Sequence, residues 1–415
     1  MSPSTDIGGS RLLTALAALL ALSGCGSGQS SSTNYTQPTS RQPSGRVAYV
    51  YVVSAGPNPG SAGVIYEYAV MSDYSVSPLP QASISAGIDP AAVVLAQGYV
   101  YVVNVGDGTI SQYDIAADHT LTPMNPATVT NPGMHTLGVA PVAATVDPTG
   151  SFLYVTNAAD DTVSQFSITV GGQLVPLTPS TVATGVDPVA IVDALVPDST
   201  AAYYVVNSGA PGDTGTVSAY SSGENGTLMP LGSDPLAAGT NPTAIAINDI
   251  STNVYVMSNC DGADCTGSIR QFAVGSGGAL TDTGVIATTG SHYDAVDMAI
   301  SQPGPNSYAY VLSNATGAST NAGALWQYGV GSTGELTPAS PPMLNVDAVA
   351  VAQTMQVGLL YVLTANSRAN ANAGSTGGNI NVYGMGGDGA AILLAATKIS
   401  VPHPVAMGIQ ALLPP

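Results

Sequence analysis

Positive charge is the scarcest property of this sequence. Among 415 residues there are 6 Lys and Arg against 25 Asp and Glu, which gives a formal net charge of -19 at pH 7. Nucleic-acid binding needs clustered cations that displace counterions, so this composition excludes a nucleic-acid partner, and it disfavours long-range attraction of anionic substrates. Because charged residues make up only 7% of the chain, we expect it to work in an acidic milieu that neutralises some carboxylates. Beyond residue 45 the cations are Arg46, Arg270, Arg368 and Lys398.

Long apolar runs are scarce as well, and the one over residues 12–22, after Arg11, is too short to span a bilayer. It predicts a secretory signal peptide over residues 1–24. Leu22-Ser23-Gly24-Cys25 resembles the bacterial lipobox, whose cysteine is acylated and becomes the new N-terminus. The resemblance implies an exported lipoprotein with a lipidated Cys25, anchored to the cell envelope, and to the outer membrane if the bacterium has two. The alternative is an ordinary signal peptide with a chance cysteine.

Cysteine is rare too, with three residues in the chain. Apart from Cys25, Cys260 and Cys265 lie close together in one loop. In an oxidising compartment such a pair is expected to form a disulfide; a metal site is the alternative, but the sequence shows no further ligands for it. Residues 25–45 are rich in Ser, Thr, Gln, Gly and Pro and predict a disordered tether after the lipidated cysteine.

In the remaining sequence, a tyrosine-valine pair recurs at seven positions that are 50 to 55 residues apart. A fixed period of this size indicates a repeat architecture. The pairs begin at Tyr51, Tyr101, Tyr154, Tyr204, Tyr255, Tyr310 and Tyr361.

Each repeat contains four short segments with the character of β-strands. A run that often opens with Asp or Asn before proline precedes the apolar tyrosine segment; an alternating segment such as residues 162–166 and a weaker fourth one follow. Apolar-polar alternation bounded by turn formers is the strand signal. Four strands in each of seven repeats predict an all-β fold, a seven-bladed β-propeller of four-stranded antiparallel blades over residues 46–415.

The two ends of the repeat region complement each other. The first repeat lacks its innermost strand, whereas residues 403–409, after the last repeat, match the other innermost strands. We therefore expect the C-terminal strand to join the first blade and close the ring, which removes two exposed sheet edges. A monomer is expected.

The motifs also carry a family resemblance that covers all seven repeats. Tyr154-Val155-Thr156-Asn157 resembles the YVTN propeller repeat, and the Gly-x-Leu outer turns are similar to those of the seven-bladed lactonase propellers, which include 6-phosphogluconolactonase-like enzymes. A lactonase would imply a general base, an acid and a cation that stabilises an oxyanion. Paired histidines before the third innermost strand belong to that pattern, and here His135 is alone.

Candidate site residues are expected around the channel mouth, where loops lead into the innermost strands. Three histidines and one arginine are low-ranked catalytic candidates, and four aspartates could bind a ligand or a divalent cation, although Asp before proline is also ordinary turn chemistry. His119 is expected at the surface. The asparagines that end five of the tyrosine segments are expected to be structural and to satisfy loop backbone: Asn104, Asn157, Asn207, Asn259 and Asn314. The catalytic candidates are His135, His292, His403 and Arg368; the aspartates are Asp89, Asp187, Asp294 and Asp347.

Two functions are compatible with these features. The first is a lipid-anchored binding or scaffold module that holds a glycan, a peptide or an envelope protein and touches the membrane only through its anchor. The second is an exported lactone hydrolase or isomerase. No cofactor is predicted, apart from the divalent cation that the mouth could hold.

Overall fold

The computed structural model describes residues 45–132, 140–196, 201–210, 212–232, 235–248, 252–259, 266–291, 293–301, 307–315, 323–346, 349–356, 358–365, 376–386 and 390–411. All of them belong to the compact unit Pro38–Pro415. Within this described part, no helix is long and apolar enough to cross a membrane.

The described residues form seven antiparallel sheets, which are the seven predicted blades. The first blade contains β1 (Arg46–Ser54), β2 (Ala62–Met71) and β3 (Val76–Ile88), and the second contains β4 (Pro90–Ala96), β5 (Tyr99–Asn104), β6 (Thr109–Ile115) and β7 (Leu121–Thr130). The third contains β8 (Pro141–Val146), β9 (Phe152–Asn157), β10 (Thr162–Ile168) and β11 (Leu174–Ala183), and the fourth contains β12 (Pro188–Leu195), β13 (Ala201–Asn207), β14 (Thr214–Ser222), β15 (Leu228–Pro230) and β16 (Leu236–Thr240).

The remaining three blades have the same order. The fifth contains β17 (Pro242–Ile247), β18 (Asn253–Ser258), β19 (Thr266–Val274) and β20 (Leu280–Ser291), with a short 3-10 turn at Ser276–Gly278. The sixth contains β21 (Tyr293–Ile300), β22 (Ser307–Ala315), β23 (Gly323–Val330) and β24 (Leu336–Val346). The seventh contains β25 (Val349–Gln356), β26 (Leu359–Ala365), β27 (Thr376–Met385) and β28 (Ala391–Pro402), and the chain continues into β29 (Pro404–Ala411).

The C-terminal strand closes the ring, which confirms the prediction from the sequence. β29 pairs antiparallel with β1, with Gly408 opposite Tyr51 and Ala406 opposite Val53, so the first blade has the order β29-β1-β2-β3. Each innermost strand also contacts the innermost strands of both neighbouring blades. These seven strands surround the central channel; they are β29, β4, β8, β12, β17, β21 and β25.

The hydrophobic core is divided into seven clusters, and each cluster fills one interface between neighbouring blades. Side chains alternate along a strand, so the second strand of each blade, counted from the channel, contributes to two clusters. In β1, Val50 and Val52 pack against the seventh blade, whereas Tyr51 and Val53 pack against the second. Burial on both faces explains why the tyrosine segments are apolar without interruption.

The fourth blade differs from the predicted four-stranded pattern. Its outer edge is divided into β15 and β16, which both pair with β14. The chain leaves the ladder after Pro230, and Gly232 then adopts a left-handed conformation with φ of 85°. Four undivided outer strands have proline at the same register position as Pro230, so the division follows from the left-handed backbone, which interrupts an extended strand.

Candidate functional site at the channel mouth

The channel mouth is the end of the propeller where two kinds of connection meet. One kind leads from the outer strand of a blade into the innermost strand of the next, and the other joins the second and third strands of a blade. In the turn between β5 and β6, the N–H groups of Val105 and Gly106 donate to the carbonyl oxygens of Asp89 and Ile88, both at 3.0 Å. The two kinds of connection are therefore bonded to each other.

Four residues that precede the innermost strands have a left-handed backbone and are followed by proline. Their carbonyl oxygens accept the N–H of the residue just after a second strand, at 2.8 to 3.0 Å. Asp, Asn and His adopt this conformation more readily than most residues, so the first role of these positions is to form the turn. His403 occupies the position that Asp or Asn fills in three other blades. The four are Asp89 (φ 46°), Asp187 (φ 55°), Asn241 (φ 50°) and His403 (φ 43°).

The two described aspartates of this set have different surroundings. Oδ2 of Asp89 accepts the N–H of Gly60, 2.7 Å away, from the turn between β1 and β2. The backbone N–H of Asp187 donates to Oδ1 of Asp161 at 2.8 Å. Burial, and then the nearby Asp161 charge, raise the pKa of the Asp187 carboxyl above its ordinary value.

Asp294 differs from the turn residues because it lies inside β21, opposite Asn314. Three residues further, Asp297 lies opposite Leu312, at the position that follows the bulge of every innermost strand. The other six blades have alanine there: Ala92, Ala143, Ala190, Ala244, Ala352 and Ala406. Asp297 is half-buried, and its Oδ1 accepts the N–H of Met298 at 2.8 Å. The sequence analysis missed this carboxylate, although aligning the seven innermost strands would have revealed it.

Among the described residues, three buried oxygen atoms at the mouth have no hydrogen-bond partner. One is Oδ1 of Asn259, directly after β18; the other two are Oδ1 of Asn131, which lies between β7 and β8, and Oδ2 of Asp160, in the turn between β9 and β10. The latter two residues are bonded to Asn157, through the Asn131 Nδ2 to Asn157 Oδ1 contact of 2.5 Å and the Asp160 N–H to Asn157 carbonyl contact of 3.3 Å. A buried acceptor without a donor is costly, so a hydroxyl or amine donor that reached either atom would be stabilised there.

Positive charge lies away from the mouth in the part of the chain that the structure describes. Arg270 on β19 pairs with Asp282 on β20, at the outside of the fifth blade. Arg46, at the beginning of β1, lies 5.8 Å from the ring centroid of Tyr49, and Lys398 belongs to the outer strand β28. Over the described residues, the mouth therefore carries carboxylates and no Lys or Arg. The same residues contain no group of three His, Cys, Asp or Glu arranged to hold a metal ion.

The far end of the channel has one carboxylate in an apolar ring. Asp193 on β12 occupies the position that Leu95, Val146, Ile247 and Ile300 occupy in other innermost strands. Its Oδ1 accepts the hydroxyl of Thr145 at 2.8 Å. Burial raises the pKa of this carboxyl above its ordinary value, and the Thr145 hydrogen bond lowers it less strongly.

His119 is not the simple surface residue that the sequence suggests. Its ring stacks on Tyr49, with ring centroids 3.7 Å apart and an interplanar angle of 11°, and its Nδ1 lies 3.1 Å from Oε1 of Gln410. The sequence gives no signal for this contact because the three residues come from distant segments.

Several residues named from the sequence lie outside the described residues. These are the lipidation candidate, the two cysteines of the expected disulfide, three catalytic candidates and one aspartate: Cys25, Cys260, Cys265, His135, His292, Arg368 and Asp347.

Comparison with known proteins supports the lactonase-like propeller family. The family model "Lactonase, 7-bladed beta-propeller" matches residues 28–206. A protein from Lactobacillus plantarum is 18% identical with a TM-score of 0.62, covering 88% of this chain and 99% of its own. A candidate 6-phosphogluconolactonase from Bacteroides fragilis is 16% identical with a TM-score of 0.60, covering 88% and 98%.

A third solved structure is the periplasmic gluconolactonase of Pseudomonas aeruginosa, which is 16% identical with a TM-score of 0.58 and covers 89% of this chain and 100% of its own. At these identities the likeness concerns the fold alone. No curated protein matches the chain.

Proposed function

We propose that this chain is a lipid-anchored β-propeller of the cell envelope that binds a donor-rich ligand, such as a neutral glycan, at its channel mouth. The observation that carries the proposal is the pair of buried oxygen atoms on Asn131 and Asp160 that lack a donor. A polyol supplies several hydroxyl donors to such acceptors, and the surrounding carboxylates select against anionic ligands. A peptide amine and an envelope protein that presents one are weaker candidates of the same donor type.

The described candidates fit binding better than catalysis. Asp89, Asp187 and His403 use their backbone to form the turns at the mouth, and Oδ2 of Asp89 is bonded to Gly60. Stabilisation of an oxyanion needs a preorganised cation or donor. The described part of the mouth presents acceptors instead, with Asp297 as one more carboxylate in the channel wall.

A calorimetric panel of matched neutral and uronic-acid oligosaccharides tests the binding proposal. We expect the neutral members to bind, and Asp160→Ala to weaken binding at least tenfold. Asp73→Ala is the matched control, because Asp73 lies in the exposed hairpin between β2 and β3, where it accepts hydrogen bonds from Ser75. Tighter binding of the acidic sugars, or equal affinity in Asp160→Ala, would contradict the proposal.

An exported lactone hydrolase or isomerase is the second candidate function, and the presence of His403 at the mouth favours it. His403→Asn removes the imidazole and is expected to keep the turn, because Asn241 already has the same left-handed conformation. Lactone turnover at pH 4 to 7, with and without calcium or magnesium, is measured for this variant and for His135→Ala with Arg368→Ala. Loss of turnover at unchanged melting temperature supports the enzyme; no turnover by the parent protein removes it.

Anchoring rests on the lipobox resemblance and is tested separately. Cys25→Ala is expected to release the protein from the membrane fraction and abolish incorporation of labelled palmitate. Retention of the label would show that another residue is acylated. Thiol titration of the unreduced protein tests the expected bond between Cys260 and Cys265, which predicts no free thiol from that pair.

A further inference from the structure

A glutamine on the third strand lies opposite the repeated tyrosine in four blades. In the fifth blade this residue is Gln271, whose Nε2 donates to Oδ1 of Asn253 and to the Thr333 carbonyl of the next blade, both at 2.7 Å. In blades two, three and six the glutamine makes a different pair of bonds. Its Oε1 accepts the N–H of a residue at the start of the next blade's outer strand, and its Nε2 donates to a carbonyl of its own outer strand. The pairs are Gln112 with Leu174 (2.7 Å) and Pro126 (3.1 Å), Gln165 with Leu228 (2.6 Å) and Pro179 (3.1 Å), and Gln327 with Ala391 (2.6 Å) and Pro341 (2.9 Å).

Glu67 occupies the same position in the first blade, opposite Tyr51, and is fully buried. Its Oε2 accepts the N–H of Leu121 at 2.9 Å, which reproduces the contact with the next blade. Gln81 takes the place of the outer-strand proline; its Nε2 is 3.4 Å from Oε1 of Glu67 and donates to the Leu121 carbonyl at 2.9 Å. The second bond is therefore reversed: the glutamines of blades two, three and six donate to their own outer strand, whereas Oε1 of Glu67 accepts from the outer-strand residue Gln81.

The surroundings of Glu67 favour the protonated form. Burial raises its pKa from 4.5 to about 7, the Leu121 N–H and the Gln81 amide lower it, and the charge of Asp118 raises it. The titratable and charged groups at this interface are Arg46, Tyr49 and Tyr51 of β1, Tyr113 of β6, and Asp118 and His119 of the hairpin between β6 and β7. The two possible cations contact Tyr49 rather than Glu67: Arg46 lies over the Tyr49 ring and His119 stacks on it.

The same interface contacts the strand that closes the ring. The hydroxyl of Tyr51 donates to the His119 carbonyl at 2.9 Å, and the His119 ring lies between Tyr49 and Gln410. Gln410 belongs to β29 and is paired with Tyr49 in the ladder. The hairpin between β6 and β7 therefore contacts β1 and β29. The bond between Leu121 and Glu67 holds the start of β7, at the end of this hairpin, against the first blade.

We propose that the interface between the first and second blades is a pH-sensitive latch, meaning a contact that is stronger at acidic pH. Neutral Glu67 takes the place of the glutamine found in other blades, and its ionisation loosens the hairpin between β6 and β7 from the closing strand β29. Neutral Glu67 still accepts the Leu121 N–H and, like glutamine, places no charge between the two blades. The charged form leaves a buried carboxylate between two blades, which local opening of the hairpin would hydrate.

Glu67→Gln introduces the residue that four other blades have at this position and is the first test. Wild-type protein is expected to lose about 2 to 5 °C of melting temperature from pH 5 to pH 8 relative to this variant, because a carboxyl with a raised folded-state pKa contributes stability that is lost as pH rises through that pKa. Hydrogen exchange of β29 and of residues 115–121, corrected for the intrinsic rate, is expected to be at least tenfold faster at pH 8 in wild type and unchanged in Glu67→Gln.

Gln112→Glu is the matched control, because it places the same carboxylate between the second and third blades. It is expected to create a pH-dependent exchange at residues 168–174 that leaves β29 unaffected. Identical pH profiles for wild type and Glu67→Gln would overturn the proposal, and so would pH-dependent exchange of β29 that persists in Glu67→Gln. If the variant fails to fold, hydrogen exchange of the wild-type protein is the test: a corrected exchange rate of β29 that does not change with pH contradicts the latch.

Discussion

At the scale of single residues, the repeated tyrosine and the repeated Gly-x-Leu turn are two halves of one contact. The tyrosine hydroxyl of one blade donates to the carbonyl of the left-handed turn residue in the next, some 70 residues away. Five such bonds have donor-acceptor distances of 2.6 to 2.9 Å: Tyr51 to His119, Tyr101 to Gly172, Tyr154 to Gly226, Tyr204 to Gly278 and Tyr255 to Gly334. The sequence shows both motifs, but their pairing requires the blade-to-blade geometry.

Removing one tyrosine hydroxyl tests this contact. Tyr101→Phe leaves the packing of a fully buried ring intact and removes the 2.6 Å bond to Gly172. Because the Gly172 carbonyl then lacks its donor, we expect a loss of about 1 to 3 kcal/mol in the free energy of unfolding. Chemical denaturation measures it, with Tyr66→Phe on the half-buried face of β2 as the control expected to change little. Equal effects of the two variants would show that the hydroxyl contact is unimportant.

The asparagines that end five of the tyrosine segments were predicted to be structural, and the contacts of Asn104 and Asn157 agree with a structural role. Asn157 is fully buried; its Nδ2 donates to the hydroxyls of Thr162 and Ser164 at 2.9 Å, and its Oδ1 accepts from Asn131. The sequence predicted backbone partners for these residues, and Asn104 does accept the Gly87 N–H at 3.1 Å. The hydroxyl partners on the third strand were not foreseen because they come from alternating positions on another strand.

Asn157→Ala is therefore expected to cost about 2 to 4 kcal/mol of unfolding free energy, since it deletes three hydrogen bonds in the interior and leaves their partners unpaired. The matched control is Asn225→Ala, which removes an Asx contact to Thr227 in an exposed hairpin and is expected to cost less than about 1 kcal/mol. Urea denaturation at one pH compares them. A larger effect at Asn225 would contradict the structural role assigned to Asn157.

His403 shows why the site was harder to predict than the fold. From sequence it is a candidate acid or base; in the structure it holds a left-handed turn, with φ of 43°, that Asn241 holds in another blade. His403→Asn is expected to change stability by less than about 0.5 kcal/mol, whereas His403→Val places a β-branched residue in that conformation and should cost about 1 to 3 kcal/mol. Thermal unfolding of both variants checks this; a stable valine variant would contradict the turn role.

At the scale of whole elements, the closing strand has the largest predicted effect. β29 supplies the innermost strand of the first blade, and its Met407 and Ile409 belong to the cluster between the seventh and first blades. Deleting residues 403–415 uncovers the edge of β1 and part of two clusters, so we expect the propeller to lose cooperative unfolding or melt far below the full-length protein. Deleting residues 412–415 is the control, and melting like wild type by the longer truncation would contradict ring closure by β29.

Element boundaries were predictable wherever the alternation of apolar and polar residues was regular. The four strands of most blades and the role of the C-terminal segment follow from the repeat. The divided outer strand of the fourth blade did not, because the left-handed Gly232 breaks the ladder without changing the apolar pattern. The two unpaired oxygens on Asn131 and Asp160 were also missed, since a missing partner is a property of the folded surroundings and leaves no mark in the sequence.

At the scale of the whole molecule, the scarcity of cations determines how stability responds to solution conditions. The formal charge is -19 at pH 7, and within the described residues the ion pair between Arg270 and Asp282 lies on an outer face. Burial raises the pKa of Asp187 and Asp193, so ionising either carboxyl costs more in the folded state than in the unfolded one. A carboxyl of this kind contributes stability at low pH that is lost as pH rises through its folded-state pKa. The titration of buried carboxyls and the repulsion among the excess negative charges therefore both lower stability as pH rises.

We therefore expect the melting temperature in 10 mM salt to fall as pH is raised from 5 to 8. Raising sodium chloride to 0.5 M shortens the Debye length and screens the repulsion, so it should recover several degrees at pH 8 and much less near pH 4.5, where the net charge is small because the sequence pI is about 4.1. Salt cannot restore the contribution of neutral Glu67, whose folded-state pKa of about 7 lies within this pH range, so part of the loss should persist at high salt. A stability maximum above pH 7 in low salt would contradict the adaptation to acidic surroundings that the composition predicts.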